Sequence, residues 1–156
     1  FTLIYFLILM FIGGCAGSTA CGVKIFRIQI LYQFISNQLK KIIYPRGIFK
    51  IKYDNNNVDE KFMASIISFI FLYILIFFII TALLSINGLN FITAISAAAT
   101  SISNVGPGLG DIIGPNGNFS QLTDFSKWIL SAAMILGRLE LFAVLVLFIP
   151  SFWRKY

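Results

Sequence analysis

The sequence contains no histidine, only two cysteines and few charged residues. Histidine is the most common general base and metal ligand, and two cysteines are too few for a structural zinc site. These absences argue against metal-dependent or histidine-based catalysis. Cys15 and Cys21 also flank a glycine-rich stretch within an apolar region, which favours neither a secreted disulfide framework nor a redox pair.

Charged residues make up 12% of the chain, whereas hydrophobic residues make up 58% and include 17 phenylalanines. A soluble domain of 156 residues could not bury that much apolar surface, so the composition predicts an integral membrane protein surrounded by membrane lipid. The net charge of +6 could indicate binding to nucleic acid, but the basic residues lie beside the apolar runs rather than on one amphipathic face. We therefore expect no nucleic-acid partner.

Residues 1–36 are predicted to form one membrane-spanning helix that is broken at residues 13–22. Residues 1–12 are apolar but reach only about 18 Å as a helix, short of the roughly 30 Å hydrocarbon core. The next ten residues contain four glycines, which weaken a helix, and a second apolar stretch follows. The chain begins with Phe1 inside an apolar run with no basic segment before it, so we expect a fragment of a longer protein.

The glycine-rich break admits more than one interpretation. A phosphate-binding loop is excluded, because it needs a lysine beside Ser18 and a soluble strand-helix context. The small residues could instead serve close helix packing. Alternatively, the segment is unwound and lies across a pathway, with free carbonyl groups facing water, and the density of glycine favours this interpretation.

The distribution of basic residues predicts the topology. Residues 37–61 form a polar loop rich in lysine and arginine, whereas residues 102–126 contain neither. The positive-inside rule places the basic loop in the cytoplasm. Two further crossings within residues 62–149 return the tail, residues 150–156, to the same side, and the tail carries Arg154 and Lys155.

Residues 62–149 have the pattern of a helix, a short helix that cannot cross, an irregular loop and a final helix. Residues 91–100 would reach only about 15 Å, with Asn90 as the predicted N-cap, and the following stretch to residue 117 contains five glycines and two prolines. Within this unit we predict a helix at 62–84, a pore helix at 91–100, a filter at 101–108, an outer loop at 109–124 and a helix at 125–149.

The filter prediction depends on Ser103, Asn104, Val105 and Gly106. A short helix that enters from outside directs its C-terminal carbonyl groups at the membrane centre, and the loop that climbs back can present backbone oxygens to a cation. Gly106 allows the backbone conformation that such a turn requires. An ordinary glycine-rich extracellular turn is the alternative that the pattern leaves open.

Arg138 lies near the middle of the final apolar run, where a charge is costly unless it is paired or hydrated. Glu140 is two residues away and points to a different face of the helix, so the two cannot pair within it. We expect Arg138 to face a cavity or open carbonyl groups. An arginine that extends to the membrane interface is the alternative.

Three motifs together resemble the Trk/Ktr potassium transporter superfamily, and in particular its TrkH-type membrane subunits. They are residues 11–19, which include Gly13, Gly14, Cys15, Ala16, Gly17, Ser18 and Thr19; residues 103–110; and the run from Gly137 to Glu140. The resemblance implies an all-α membrane protein built of membrane-pore-membrane repeats around a central pore. This chain would supply one complete repeat and the broken second helix of the preceding repeat.

The resemblance also implies the roles of the residues. Ser103, Asn104, Val105 and Gly106 would form one of four filter strands that bind potassium, the transported ion, and the chain would hold no cofactor of its own. Residues 13–22 would form an intramembrane gating loop below the filter, with residues 13–19 as its motif, and the charge of Arg138 would oppose cation passage there. Cys21 departs from the glycine usual in the family.

The implied partners are the remaining repeats of the transporter, a second full-length subunit in a homodimer and a cytoplasmic, nucleotide-binding regulatory subunit of the TrkA type. The implied location is the cytoplasmic membrane of a bacterium. Since one filter strand cannot surround an ion, the chain alone should not conduct. Two alternatives to potassium uptake stand beside it: a non-conducting remnant of a split or truncated gene, and, more remotely, a membrane-embedded enzyme using Glu140 and the cysteines.

Overall fold

The structure is a computed structural model, and it describes residues 2–15, 17–18, 21–47, 49–53, 56–110, 112–139, 144, 146–147 and 150–153. The fold is mostly helical. Its elements are α1 (Thr2–Phe11), α2 (Ile25–Ile43), β1 (Lys52–Tyr53), β2 (Asn56–Asn57), α3 (Glu60–Ile86), α4 (Phe91–Ser103), a 3-10 turn (Phe119–Gln121), α5 (Asp124–Arg138) and α6 (Pro150–Trp153).

Helix α3 is the longest helix, and it contacts α2, α4 and α5. It is the one helix in the described ranges that is long and apolar enough to cross a membrane, and only 28% of its most apolar 18-residue window is buried. A core helix of a soluble protein would be mostly covered, so the exposed apolar surface fits a helix that faces lipid. Its first turn is capped by Asp59, whose side chain accepts a hydrogen bond from the Glu60 N–H.

Along its length α3 supports the other elements in order. Its N-terminal third packs on α2 through Met63, Ile66 and Ile30, beside the antiparallel hairpin of β1 and β2. Its C-terminal third packs on α4 and α5, where Leu84 is fully buried. The C-terminal end of α3 and the N-terminal end of α5 are joined by the Asn87 amide, which donates to Ser126 Oγ at 2.6 Å.

Helix α4 lies between α3 and α5, and ten of its 13 residues are buried. It is rich in alanine and serine, which allow helix backbones to approach closely. The same closeness is seen on α5, where a Cβ on Gly137 would lie 1.9 Å from the Ile102 carbonyl oxygen. Glycine is therefore required at this contact, which brings the end of α5 against the end of α4.

Several boundaries differ from the predicted ones. Helix α2 continues to Ile43 rather than ending at residue 36, because leaving the apolar region does not end a helix and Lys40 and Lys41 suit its negative C-terminal end. Helix α3 is two residues longer than predicted at each end. The Asn90 side chain makes no capping hydrogen bond, although Asn90 occupies the predicted N-cap position.

The last predicted helix, 125–149, is interrupted. Helix α5 begins at Asp124 and ends at Arg138, directly after the Gly137 contact with α4. Beyond Leu139 the structure describes only Val144, Val146 and Leu147 before α6, and these three are helical. A continuous apolar run does not reveal such a break, because the break depends on a contact with another helix.

Candidate functional site

The C-terminal end of α4 is closed by a Schellman motif, which reverses the direction of the chain. Asn104 adopts the left-handed conformation at φ 51°, and its N–H donates to the Ser101 carbonyl oxygen at 3.2 Å. The Val105 N–H donates to the Thr100 carbonyl oxygen at 3.0 Å. These are the two hydrogen bonds of the motif, with asparagine where glycine is more usual. Helix α4 thus extends to Ser103, and the predicted filter range 101–108 begins inside it.

After the turn, residues 104–110, which we call the return segment, run back alongside α4. The Gly106 N–H donates to Thr100 Oγ1 at 2.9 Å, and Ser96 Oγ donates to the Leu109 carbonyl oxygen at 2.9 Å. Thr100 and Ser96 are four residues apart and share one face of the helix. Gly106 therefore meets Thr100, and Leu109, which is later in the chain, meets Ser96, which is earlier in α4. A loop that returns alongside a re-entrant helix follows such an antiparallel path.

The backbone oxygens of this return segment are left available. Among the described residues, the carbonyl groups of Asn104, Val105 and Gly106 accept no hydrogen bond. Gly106 has φ +111°, which side chains rarely tolerate, and residues 104–107 are exposed. Ser103 differs from them, because it is the last residue of α4 and its side chain is buried.

The predicted gating loop lies between α1 and α2 and is closed at its base. The Gly13 N–H donates to the Val23 carbonyl oxygen at 2.9 Å, and the Val23 N–H donates to the Phe11 carbonyl oxygen at 3.0 Å. These bonds form a parallel bridge between Ile12 and Val23. The two half-helices are thus held together at the break, and residues 13–15, 17–18 and 21–22 are not helical.

Within that loop, residues 13–22, the structure describes Gly13, Gly14, Cys15, Gly17, Ser18, Cys21 and Gly22, whereas Ala16, Thr19 and Ala20 lie outside the described residues. The Ser18 N–H donates to the Cys15 carbonyl oxygen at 3.0 Å, which forms a turn with the Cys15 side chain exposed.

Arg138 is the last residue of α5, and its guanidinium reaches the same loop. Its Nη1 lies 3.9 Å from Cys21 Sγ. The side chain therefore points across the fold toward the broken helix rather than along its own helix to the interface. Glu140 lies outside the described residues.

The end of α5 also contacts the return segment. The Asn104 side-chain amide donates to the Met134 carbonyl oxygen at 3.0 Å, one turn before Arg138. Together with the Gly137 contact, this bond fixes the position of α5 relative to the turn after α4. The arginine and the return segment are thus held in a defined relation.

A cavity of about 590 Å³ brings the three sequence motifs together. It is lined from α1, the gating loop, the return segment and the end of α5. The lining residues are Phe6, Leu9, Met10, Ile12, Gly13, Gly14, Cys21, Ser103, Asn104, Val105, Pro107, Gly108, Leu109, Pro115 and Arg138. Motifs more than a hundred residues apart in sequence therefore face one space.

Sequence reasoning did not identify the α4 side chains that hold the return segment. Ser96 and Thr100 lie at positions i and i+4, which places their hydroxyl groups on one face of a helix rich in small and apolar residues. That spacing was the available signal. Tyr73, whose hydroxyl contacts Ser103, carried no signal in the sequence because its position depends on the packing of α3 against α4.

Comparison with known proteins places the chain among cation transport proteins. The family model described as "TrkH: Cation transport protein" matches residues 1–155. The Trk system potassium uptake protein TrkI of Halomonas elongata is 45% identical over 150 residues, which cover 96% of this chain and 30% of that protein. The Trk system potassium uptake protein TrkH of Escherichia coli K12 is 37% identical over 145 residues, covering 93% of this chain and 29% of that protein.

The fold has a solved counterpart. The crystal structure of the potassium transporter TrkH from Vibrio parahaemolyticus matches with a TM-score of 0.86 and 34% identity, covering 97% of this chain and 32% of that chain. The present chain thus spans about 30% of the length of the relatives that it matches.

The hydrogen bond between Gly106 and Thr100 predicts a local effect of removing the hydroxyl. Thr100→Val, made in the full-length protein, should make the Gly106 amide exchange with deuterium about fivefold faster, since one net hydrogen bond contributes about 1 kcal/mol. Thr100→Ser should retain the slow exchange. Thr81→Val is the matched control, because it removes a part-buried hydroxyl that bonds only within α3. Equal exchange rates at Gly106 in all variants would contradict the assignment.

Proposed function

Because the chain belongs to the TrkH family of cation transport proteins, we propose that it forms the C-terminal part of a potassium uptake pore. The cavity lined jointly by the return segment, the gating loop and Arg138 is the observation that carries this proposal. Unpartnered backbone oxygens beside a membrane-length helix are costly in lipid unless they line a pathway for a polar solute. A cation is the solute that such oxygens attract.

The chain supplies one membrane-pore-membrane repeat, made of α3, α4, the return segment and α5. Residues 1–36 contribute the broken second helix of the preceding repeat. One filter strand cannot surround an ion, so the remaining repeats of the full-length subunit provide three further strands. The short coverage of the relatives, about 30%, supports this division.

Cation binding at the filter has two physical sources. The C-terminal end of α4 carries about half a negative charge, and it ends at the wall of the cavity. The carbonyl groups of Asn104, Val105 and Gly106, with no partners in the described chain, replace part of the hydration shell of potassium. The backbone thus serves as the ligand, and Ser103 begins the strand.

The gate is formed by the loop between α1 and α2, whose residues Gly13, Gly14 and Cys21 line the same cavity. Backbone hydrogen bonds fix the neck of the loop at Gly13 and Val23. The positive charge of Arg138 lies beside Cys21 in that loop and raises the energy of a cation in the closed pathway. Movement of the loop away from the axis opens the pathway.

The orientation and the partners follow from charge. Lys40, Lys41 and Lys50 lie on the basic side of the fold, which we assign to the cytoplasm of a bacterium, with the C-terminus on the same side. This basic surface is the place for a cytoplasmic nucleotide-binding regulatory subunit of the TrkA type. The full-length subunit forms a homodimer in the cytoplasmic membrane.

The alternatives have less support. The relatives named above are transport proteins rather than enzymes, which weighs against a membrane-embedded enzyme. The other alternative is a non-conducting remnant of a split or truncated gene. An upstream genomic sequence that encodes the missing repeats in frame would favour the transporter subunit over the remnant.

Substituting Gly106 in the full-length protein tests the filter. Gly106→Ser forces a side chain into a positive-φ conformation at a cost of about 1–2 kcal/mol or more, which corresponds to roughly tenfold weaker potassium binding. In a bacterium that lacks its own potassium transporters, the full gene should restore growth at low potassium. The fragment alone should not, and Gly106→Ser should require roughly tenfold more potassium.

The control for backbone strain is Gly88→Ser. Gly88 has φ +88° and, like Gly106, open space around its missing Cβ, but it lies in the outer turn after α3. Growth with Gly88→Ser should match the unaltered gene. The filter assignment fails if Gly106→Ser leaves potassium affinity and selectivity unchanged, or if the two variants lose them equally.

Removing the charge of Arg138 tests the gate. A unit charge about 10 Å from an ion at an effective dielectric of 20 opposes it by about 1.7 kcal/mol, so Arg138→Ala should raise resting rubidium uptake on the order of tenfold. Arg138→Lys keeps the charge and should stay near the original rate. Unchanged resting flux in Arg138→Ala, with normal protein level, would be incompatible with an electrostatic gate.

A further inference from the structure

Tyr73 is a buried polar residue in the middle of α3, among apolar neighbours. Its side chain is 3% exposed, and its hydroxyl lies 2.7 Å from Ser103 Oγ. Phenylalanine would fill the same space without a hydroxyl to satisfy. A tyrosine at this position therefore indicates that the hydroxyl makes an interaction that matters. The atom that it contacts, Ser103 Oγ, belongs to the first residue of the proposed filter strand.

The ring of Tyr73 is fixed by two aromatic neighbours. Phe69 stacks on it at a centroid distance of 6.1 Å, and Phe11 meets it edge to face at 6.2 Å. Phe69 is itself covered by the Arg27 guanidinium, whose Cζ lies 3.8 Å from the ring centroid. These contacts fix the orientation of the Tyr73 ring and therefore the position of its hydroxyl next to Ser103.

The position of the Ser103 side chain matters for the backbone that follows it. A serine in the last turn of a helix can also bond to the carbonyl oxygen four residues earlier, which here belongs to Ala99. The bond to Tyr73 selects one arrangement of Ser103. The next residue, Asn104, begins the chain reversal that leads into the exposed carbonyl groups.

We propose that Tyr73 is a positioning residue of the ion filter: its hydroxyl holds Ser103 and so sets the geometry of the carbonyl groups after it. The proposal rests on the function proposed above. Tyr73 acts through Ser103 and does not itself contact the ion. Its loss should therefore change which ion binds and how tightly, rather than how much protein folds.

The test is Tyr73→Phe in the full-length transporter, with uptake of rubidium and sodium measured in cells. The half-saturating rubidium concentration should rise about three- to tenfold, the range expected for one buried hydrogen bond, while the maximal rate stays within about twofold. Discrimination against sodium should fall. Tyr53→Phe is the matched control, since Tyr53 also packs on a phenylalanine, Phe26, and neither residue lines the cavity.

Ser103→Ala should reproduce the change, and the double variant with Tyr73→Phe should be no worse than either single variant, because both remove the same bond. Additive effects, or a normal affinity and selectivity in Tyr73→Phe, would overturn the inference. If Tyr73→Phe is normal while Gly106→Ser is impaired, only this inference fails. If both are normal, the proposed function fails as well.

Discussion

The structure depends on one constraint: backbone polar groups inside a membrane must find partners within the protein or line a wet path. At the break between α1 and α2, the Gly13 N–H donates to the Val23 carbonyl oxygen and the Val23 N–H donates to the Phe11 carbonyl oxygen. At the turn after α4, the Schellman motif and Thr100 satisfy the N–H groups of residues 104–106. The carbonyl groups of Asn104, Val105 and Gly106 have no partner among the described residues, and Asn104 and Val105 line the cavity. Backbone carbonyl oxygens of this kind are the ligands that cation filters use.

Charge in the apolar region follows the same logic. An arginine in a membrane is costly unless it is paired, stacked or hydrated. Arg27 lies over the Phe69 ring, and this contact supports the aromatic cluster around Tyr73. Arg138 reaches Cys21 in the loop between α1 and α2, and both residues line the cavity. Arg27 therefore supports the packing of the fold, whereas Arg138 lines the cavity, where we propose that its charge acts on a passing ion.

The sequence predicted elements whose cause is local. The uncharged run at 62–84 is sufficient to identify α3, and the glycine content of residues 13–22 indicates the break between α1 and α2. It did not predict boundaries that depend on neighbours. Helix α5 ends where Gly137 meets the Ile102 carbonyl group, and α4 ends where Asn104 turns, which no apolar pattern records. Likewise, the sequence motifs were sufficient to predict the residues of the site, but not Tyr73 and Thr100, which support the site through contacts that exist only in the folded chain.

The central claim is that peptide oxygens after α4 lie within the bilayer and replace the water shell of an ion. Crystals of the full-length protein grown in rubidium provide the most direct measurement, because rubidium scatters anomalously and its position can be seen against the protein. The account predicts an anomalous peak in contact with the carbonyl oxygens of Asn104, Val105 and Gly106, on the axis shared with the other repeats. A return segment in the outer solvent, with no peak beside these oxygens, would contradict it.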